Sequence, residues 1–372
     1  MSRRRAAVAG VATTAYGSFP ETDATGLALR ALSEALDDAG LERHEVDGLI
    51  TSRVPAHPRF CELAGLDPSF VLELPAYGRF TGMAIKTAVD ALLAGHVEII
   101  ALAYGNDGRS RRVHYGGGNA EGEQSLWHAW GMTSPGAQHA LLFQRHSGLY
   151  GTTTEQLAHI SVAFRDHASL NESAVMRNPI TVKDHENSRL IVAPLRLLDY
   201  CLINDGGVAL VLTTLERARA CRRPPVQILA TATASALSDS SFPPDDFWYA
   251  PLTACAESFA AAGITPEEVD VVQIYDNFTP TVIFTLEGLG FCGRGEGGPF
   301  VEGGALSLGG SLPSNTSGGH LSESYMQGWA LNAEAVRQVR GEAGARQVPA
   351  CRIAQYAAAA PLCSSIIYGT GE

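Results

Sequence analysis

The chain has 372 residues and a net charge of −12, with 39 acidic against 27 basic side chains. That length exceeds a usual single core and calls for two domains or a duplicated unit, and the acidic balance argues against nucleic acid or an anionic membrane as partner. Seven widely spaced cysteines without a C-x-x-C pair speak against a disulfide framework or a metal site and fit a reducing, cytoplasmic setting. After Ser2-Arg-Arg-Arg5, the apolar run Ala7-Val-Ala-Gly-Val-Ala12 is too short for an export leader and flows into Thr13–Gly17 without a cleavage site, so it reads as a buried first strand. No uninterrupted apolar stretch has the length to span a bilayer.

Thr25–Leu36 and Thr81–Gly95 have helical apolar spacing, and Val97–Ala103 reads as a buried strand. From about 105 to 195 the pattern loosens into a long excursion, which inside an α/β unit marks a lid or binding subdomain. It holds Gly116–Gly118, Trp127, Trp130 and a helix over 154–169. Asn204-Asp-Gly-Gly reads as a turn entering a strand that runs to Leu212, and Ser238–Ala250 as an irregular surface loop. The segment Ala35–Ile50 can be laid over Phe259–Gln273 without a gap. Each is a helix end, a stop glycine (Gly40, Gly263), a short acidic turn, then an apolar strand opening on Val-Asp. The match predicts two related halves, 1–222 and 223–372.

The stretch Ser317-Gly-Gly-His-Leu-Ser-Glu-Ser-Tyr325-Met-Gln-Gly328 resembles the C-terminal active-site signature of sterol-carrier-type thiolases, roughly S-G-G-x-x-S-x-G-H-P-x-G. Ser317, Gly318, Gly319, Ser322 and Gly328 align, while the catalytic histidine of the signature falls on Tyr325. Tyr275-Asp-Asn-Phe278 stands where that family has H-D-C-F. The nucleophilic cysteine is missing from Pro75–Gly82, where Tyr77, Gly78 and Arg79 are the nearest occupants, and Ala354–Pro361 replaces the last C-x-G. Without a thiolate, acyl transfer through a covalent cysteine intermediate loses its chemistry.

Two tyrosines in place of two active-site polar groups make the chain similar to the aldolases of actinobacterial steroid side-chain degradation, in the lipid-transfer-protein/thiolase group. The resemblance implies an α/β thiolase fold with five layers, αβαβα. It implies retro-aldol cleavage of a 17-hydroxy steroid side-chain acyl-CoA to a 17-ketosteroid and propionyl-CoA, with Tyr275 and Tyr325 as the acid/base pair. It also implies a homodimer completed to a heterotetramer by a domain-of-unknown-function subunit with a zinc ribbon and an OB-fold. Zinc then belongs to that subunit alone, and this chain carries no cofactor of its own. A lone tyrosine more often packs with its hydroxyl satisfied; Tyr275 and Tyr325 differ because each falls on a catalytic position of the frame.

Around the pair, Asp276 and Asn277 are candidates to orient the loop, His320 to support or bind, and Tyr77 to occupy the lost cysteine's place. Backbone N–H groups near Gly82, Gly318 and Gly319 are candidate donors to an enolate oxygen. A Schiff-base aldolase would have to use Lys86 or Lys183, and a metal-dependent one His128, His139 and His146, which lack a compact ligand spacing. A thiolase-like acyltransferase and a non-catalytic sterol or acyl-CoA scaffold are the alternatives.

Overall fold

The structure is a computed structural model that describes residues 4–54, 57–75, 77–113, 134–235 and 246–371. The first run of elements is β1 (Ala6–Thr13), α1 (Ala24–Ala39), β2 (Gly48–Ser52), α2 (His57–Ala64), β3 (Phe70–Leu74), α3 (Thr81–Ala94) and β4 (Ile99–Asp107). An excursion follows with α4 (Pro135–Tyr150), α5 (Thr154–Ser169), α6 (Val182–Asn187) and a small hairpin of β5 (Leu190–Val192) and β6 (Leu195–Arg196). The chain returns through β7 (Asp205–Thr214) and α7 (Leu215–Ala218). The second run is β8 (Val226–Ser235), α8 (Tyr249–Cys255), α9 (Glu257–Ala262), β9 (Val271–Ile274), α10 (Thr279–Leu289), α11 (Gly297–Glu302), α12 (Gly319–Ser322), α13 (Trp329–Arg340), β10 (Ile353–Ala358) and β11 (Leu362–Thr370).

The strands join in the order β3-β2-β4-β7-β1-β8-β11-β10-β9. One pairing scheme occurs twice. β7 runs antiparallel to β1 and β4, as β11 does to β8 and β10, and β2 is parallel to β4 as β9 is to β10. The two sets meet at β1–β8, where Ala7 pairs with Gln227 and Val8 with Val226. So short a seam lets the sheet fold over on itself. Helices α3 and α13 fill the fold, each touching strands of both sets, while α1 covers β1, β4 and β7 outside and α8 and α9 cover β8 and β11. That is a five-layer αβαβα arrangement.

Local chemistry explains the elements. Asp23 caps α1 by accepting from the Gly26 N–H at 2.8 Å. Its buried face is Leu27, Ala28, Ala31, Leu32, Ala35 and Leu36, small and branched residues that let the helix lie close to the sheet. The contact is tight: a Cβ on Gly207 of β7 would fall 2.2 Å from the Leu27 carbonyl oxygen. Gly40 and Gly263 end α1 and α9 at φ 71° and 73°, the left-handed cap conformation. Both turns then continue as one 3-10 turn, residues 43–45 and 266–268, into β2 and β9.

The excursion is more ordered than its sequence suggests. Besides the helix expected at 154–169, it has α4, announced by Ser134 as N-cap and Pro135 at the first helical position. Gly116–Gly118, Trp127, His128 and Trp130 lie outside the described residues. The surface-loop reading of Ser238–Ala250 is corrected at its end. Residues 238–245 are outside the described residues, but Phe247, Trp248 and Tyr249 are buried, because the aromatics pack on α10 and α4.

A buried polar knot ties the excursion to α10. The Tyr249 hydroxyl donates to Glu287, His146 Nε2 lies 3.1 Å from the same carboxylate, the Gly297 N–H donates to it at 2.9 Å, and the Thr152 hydroxyl meets His146 Nδ1 at 2.9 Å. Burial pushes the Glu287 carboxyl up, but hydrogen bonds with His146, a backbone N–H and Tyr249 outweigh it and hold it below its ordinary value. A carboxyl depressed in the folded state contributes stability above its unfolded pKa, about 4.3. That contribution disappears as pH falls through the folded value. Thermal melts from pH 7 down to 3 should show Tm dropping below about pH 4.3, with a shallower drop in Glu287→Gln; parallel curves would remove Glu287 from the acid response.

Candidate active site

The site is built where β9 leaves the sheet. β9 is an edge strand, and its open side is covered by the segment before the 317–328 stretch. The Val272 N–H donates to the Pro313 carbonyl at 3.1 Å and the Asn315 N–H to the Val272 carbonyl at 3.0 Å. The Asn315 side chain then acts as a surrogate strand, accepting from the Ile274 N–H at 2.6 Å and donating to its carbonyl at 2.9 Å. The Tyr275 N–H extends the ladder to Ala357 O at 2.8 Å. Tyr275 is thus fixed at the strand end, and the next residues turn away. The Asn277 amide oxygen accepts from the Phe278 N–H at 3.1 Å and the Thr281 hydroxyl at 2.9 Å, starting α10.

Asp276 points the other way, into the protein. It accepts the His320 and Leu321 N–H groups at 2.8 and 3.1 Å, capping α12. Gly319 makes room: at φ 61° its added Cβ would sit 2.3 Å from the Asp276 carboxylate. Burial pushes the Asp276 carboxyl up to about 8, although its N–H donors pull it down. Burial also pushes His320 down to about 3, so the ring is neutral. The Gly328 N–H donates to His320 Nε2 at 2.9 Å. The ring proton is therefore assigned to Nδ1, which lies 3.3 Å from Asp276 without full hydrogen-bond geometry.

The neutral ring stands edge-on to two phenols, with centroids 4.7 Å from Tyr275 and 5.1 Å from Tyr325. The Tyr275 and Tyr325 hydroxyls lie 2.9 Å apart. Tyr275 is buried and Tyr325 half-buried. Burial first, and then Tyr325, raise the Tyr275 pKa well above its ordinary value, so Tyr275 remains a phenol. From the first half, the Tyr325 N–H donates to Asn204 Oδ1 at 2.7 Å and the Asn106 side-chain amide reaches the Tyr325 carbonyl at 3.3 Å. The two phenols come from segments 50 residues apart.

Of the residues singled out in the sequence, Tyr275, Asp276, His320, Gly319 and Tyr325 come together, with Asn277 shaping the turn beside them. Tyr77 does not join them. It is 54% exposed, with the Arg79 guanidinium 4.9 Å over its ring. The residue that abuts the pair is Gly78, where a Cβ would lie 1.9 Å from the Tyr275 hydroxyl oxygen. Absence of a side chain there makes the space for the phenol. Gly318 is corrected as an enolate donor, because its N–H is already given to the Asn315 carbonyl at 2.8 Å. Gly82 opens α3 against Ser364, with its added Cβ 2.2 Å from that hydroxyl oxygen. Among the other designs, Lys86 pairs with Asp90 on the same helix at 2.6 Å. His139 stacks on Phe278 at 4.1 Å, and His146 belongs to the Glu287 knot.

Sequence reading missed Cys201 and Tyr356. Cys201 donates its N–H to the Asn277 carbonyl at 3.0 Å, and burial raises its thiol far above the ordinary value, so it is not a thiolate. Tyr356 of β10 shares a face with Tyr275 because its register partner is Gln273, two residues before it. The Ala-rich stretch around it hides that placement. Gly78→Ala should force the Tyr275 phenol aside, costing about 1–3 kcal/mol and most of the turnover. Denaturant melts and activity measured together check this; unchanged turnover would show that the phenol's placement is dispensable.

This fold and site define a thiolase-like enzyme that carries a pair of phenols. A family model described as "Thiolase C-terminal domain-like" matches residues 240–367. A "Steroid side-chain-cleaving aldolase" of Thermomonospora curvata is 35% identical over 356 residues, covering 90% of each chain. A "17-hydroxy-3-oxo-4-pregnene-20-carboxyl-CoA lyase" of Mycobacterium tuberculosis is 34% identical, covering 91% of this chain and 92% of that one. The solved "Ltp2-ChsH2(DUF35) aldolase" superposes with a TM-score of 0.89 at 32% identity, covering 99% of this chain and 98% of its own. The chain belongs to the thiolase-fold aldolases related to the steroid side-chain-degrading enzymes of actinobacteria. Among the described residues, no helix is long and apolar enough to cross a membrane.

Proposed function

We propose that the chain cleaves a 17-hydroxy steroid side-chain acyl-CoA by retro-aldol reaction, giving a 17-ketosteroid and propionyl-CoA. The observation that carries this reading is the 2.9 Å contact between the Tyr275 and Tyr325 hydroxyls, in a chain two of whose relatives are named as an aldolase and a lyase. The reaction needs no oxidant and no water. One phenolate takes the proton of the tertiary alcohol, the carbon–carbon bond electrons pass into a thioester enolate, and a phenol returns a proton to its carbon.

Burial supports one division of the roles. Tyr275, held as a phenol, donates to Tyr325, and Tyr325, half-buried, receives the alcohol proton. The donors for the enolate oxygen are the Gly82 N–H in the first turn of α3 or the N–H of Gly319, since the Gly318 N–H is taken. The neutral His320 packs edge-on against both rings, Asp276 holds the backbone that carries it, and Asn277 fixes the turn. We further propose that residues 1–222 and 223–372 are the two related halves, with 105–195 as the covering subdomain. The chain works as a homodimer in a heterotetramer with a zinc-ribbon/OB-fold subunit, as the DUF35 in the name of the solved relative suggests, and in the cytoplasm.

The test is to co-purify the chain with such a subunit and incubate the complex with a 17-hydroxy steroid acyl-CoA. Ketosteroid and propionyl-CoA in equal amounts support the reading; intact substrate sinks it. A parallel incubation with acetoacetyl-CoA and free CoA should give no acetyl-CoA. Robust acetyl-CoA formation would favour an acyltransferase.

A further inference from the structure

Tyr356 is fully buried, and its hydroxyl has no hydrogen-bond partner among the described residues. It rests on Gly328: a Cβ there, at φ 89°, would fall 2.3 Å from the hydroxyl oxygen. The nearby peptide cannot satisfy it, because the Gly328 N–H is given to His320 and its carbonyl accepts the Asn332 amide at 2.8 Å. The neighbouring phenol of β11, Tyr368, donates to Asn332 Oδ1 at 2.8 Å and makes no bond with Tyr356. A buried hydroxyl without a partner costs roughly 1–3 kcal/mol, and native proteins seldom keep one without a use.

The ionisable groups around this hydroxyl all belong to the site or its floor. Tyr275 and Asp276 come from the end of β9, Tyr325 from the 317–328 stretch, and Tyr368 from β11. His320 lies against Tyr275 and Tyr325, and Cys201 against Tyr275 and Asp276. Burial keeps Tyr356 protonated far above neutral pH, so it is a standing donor.

We propose that Tyr356 is a positioning residue of the phenol pair, its unpartnered hydroxyl donating a hydrogen bond, directly or through one water, to the phenolate that Tyr325 becomes when it acts as base. A hydrogen bond to the charged form favours the phenolate over the phenol. It goes beyond the two-tyrosine reading and rests on it.

The experiment is a titration of ring-labelled tyrosine followed by NMR, with Tyr325 assigned through Tyr325→Phe, in wild type and in Tyr356→Phe. A hydrogen bond to a charged group corresponds to about one to two pH units. The Tyr325 midpoint is expected to rise by that amount in Tyr356→Phe, while Tm holds or increases because an unsatisfied hydroxyl has been removed. Tyr368→Phe, which breaks a made hydrogen bond, is the stability control and should lower Tm. An unchanged Tyr325 midpoint overturns the proposal, as does a Tyr325 that stays protonated up to unfolding in wild type. A fall in Tm or loss of folding in Tyr356→Phe assigns the hydroxyl to structure and overturns it too, unless the next measurement contradicts that. Tyr356 replaced by 3-fluorotyrosine, a stronger donor of the same shape, should lower the Tyr325 midpoint; no shift there is decisive against the role. None of these readings uses substrate, so a failure of steroid cleavage would sink the aldolase reading separately.

Discussion

Tyr325→Phe should lower retro-aldol turnover by about 100- to 10,000-fold, the usual worth of a positioned acid or base, with acyl-CoA affinity nearly unchanged. The substitution removes one oxygen and keeps the ring that lies against His320. The backbone anchors at Asn204 and Asn106 are also untouched, so the loop keeps its course. Tyr275→Phe should cost similar turnover but act differently. Its hydroxyl is buried and bonded to Tyr325, so on the proposed roles its loss leaves the base without its donor. Turnover of each variant with the partner subunit present, set beside acyl-CoA binding by calorimetry, separates these effects. Full activity in both variants would mean that the phenols only pack and that other groups carry the proton transfers.

Arg346→Ala should destabilise the protein by about 3–5 kcal/mol, the cost of leaving a buried charge without its partner. Arg346 makes a two-point contact with Glu334, at 3.0 Å to each carboxylate oxygen, and the Glu334 side chain is fully buried. The same carboxylate accepts the Thr316 hydroxyl at 2.9 Å and the Gln338 amide at 3.2 Å. Thr316 immediately precedes the Ser317–Gly328 stretch. The pair therefore anchors the strap that carries Tyr325, and its loss should loosen the site before the sheet. Chemical denaturation measures the stability, and hydrogen exchange over 314–328 locates the opening. A loss below 1 kcal/mol would mean that water repays the exposed carboxylate.

Much of the site was legible because two short stretches of chain carry it. The Y-D-N-F run and the glycine-bracketed run to Gly328 keep the spacing of a known frame, and backbone shape needs that spacing whatever the chemistry. Gly319 has to be glycine for Asp276 to come near, and Gly328 has to be glycine to begin α13 at positive φ. Tyr77 was misplaced because one position along a tight turn exchanges a solvent-facing ring for a residue against Tyr275, and no periodicity marks that difference. Cys201 and Tyr356 were missed for another reason. Each is ordinary in its own segment, and becomes part of the site only through pairing, Cys201 with Asn277 and Tyr356 with Gln273. The buried aromatics of 247–249 looked like loop residues because proline and aspartate surround them, and local composition does not record that α10 and α4 pass overhead.

The sequence by itself determined the doubled architecture, the loss of the thiolate and the identity of the two phenols. The first follows from periodicity and stop glycines, the other two from motif spacings that resemble the thiolase frame, and all are properties of the chain before it folds. Tertiary structure alone decided that the phenols share a 2.9 Å contact, that His320 is neutral and stands edge-on to both, and that the Tyr356 hydroxyl is buried without a partner among the described residues. Those outcomes depend on burial and on which strand lies beside which. Such long-range contacts set distance and desolvation, and it is desolvation that fixes which groups hold a proton.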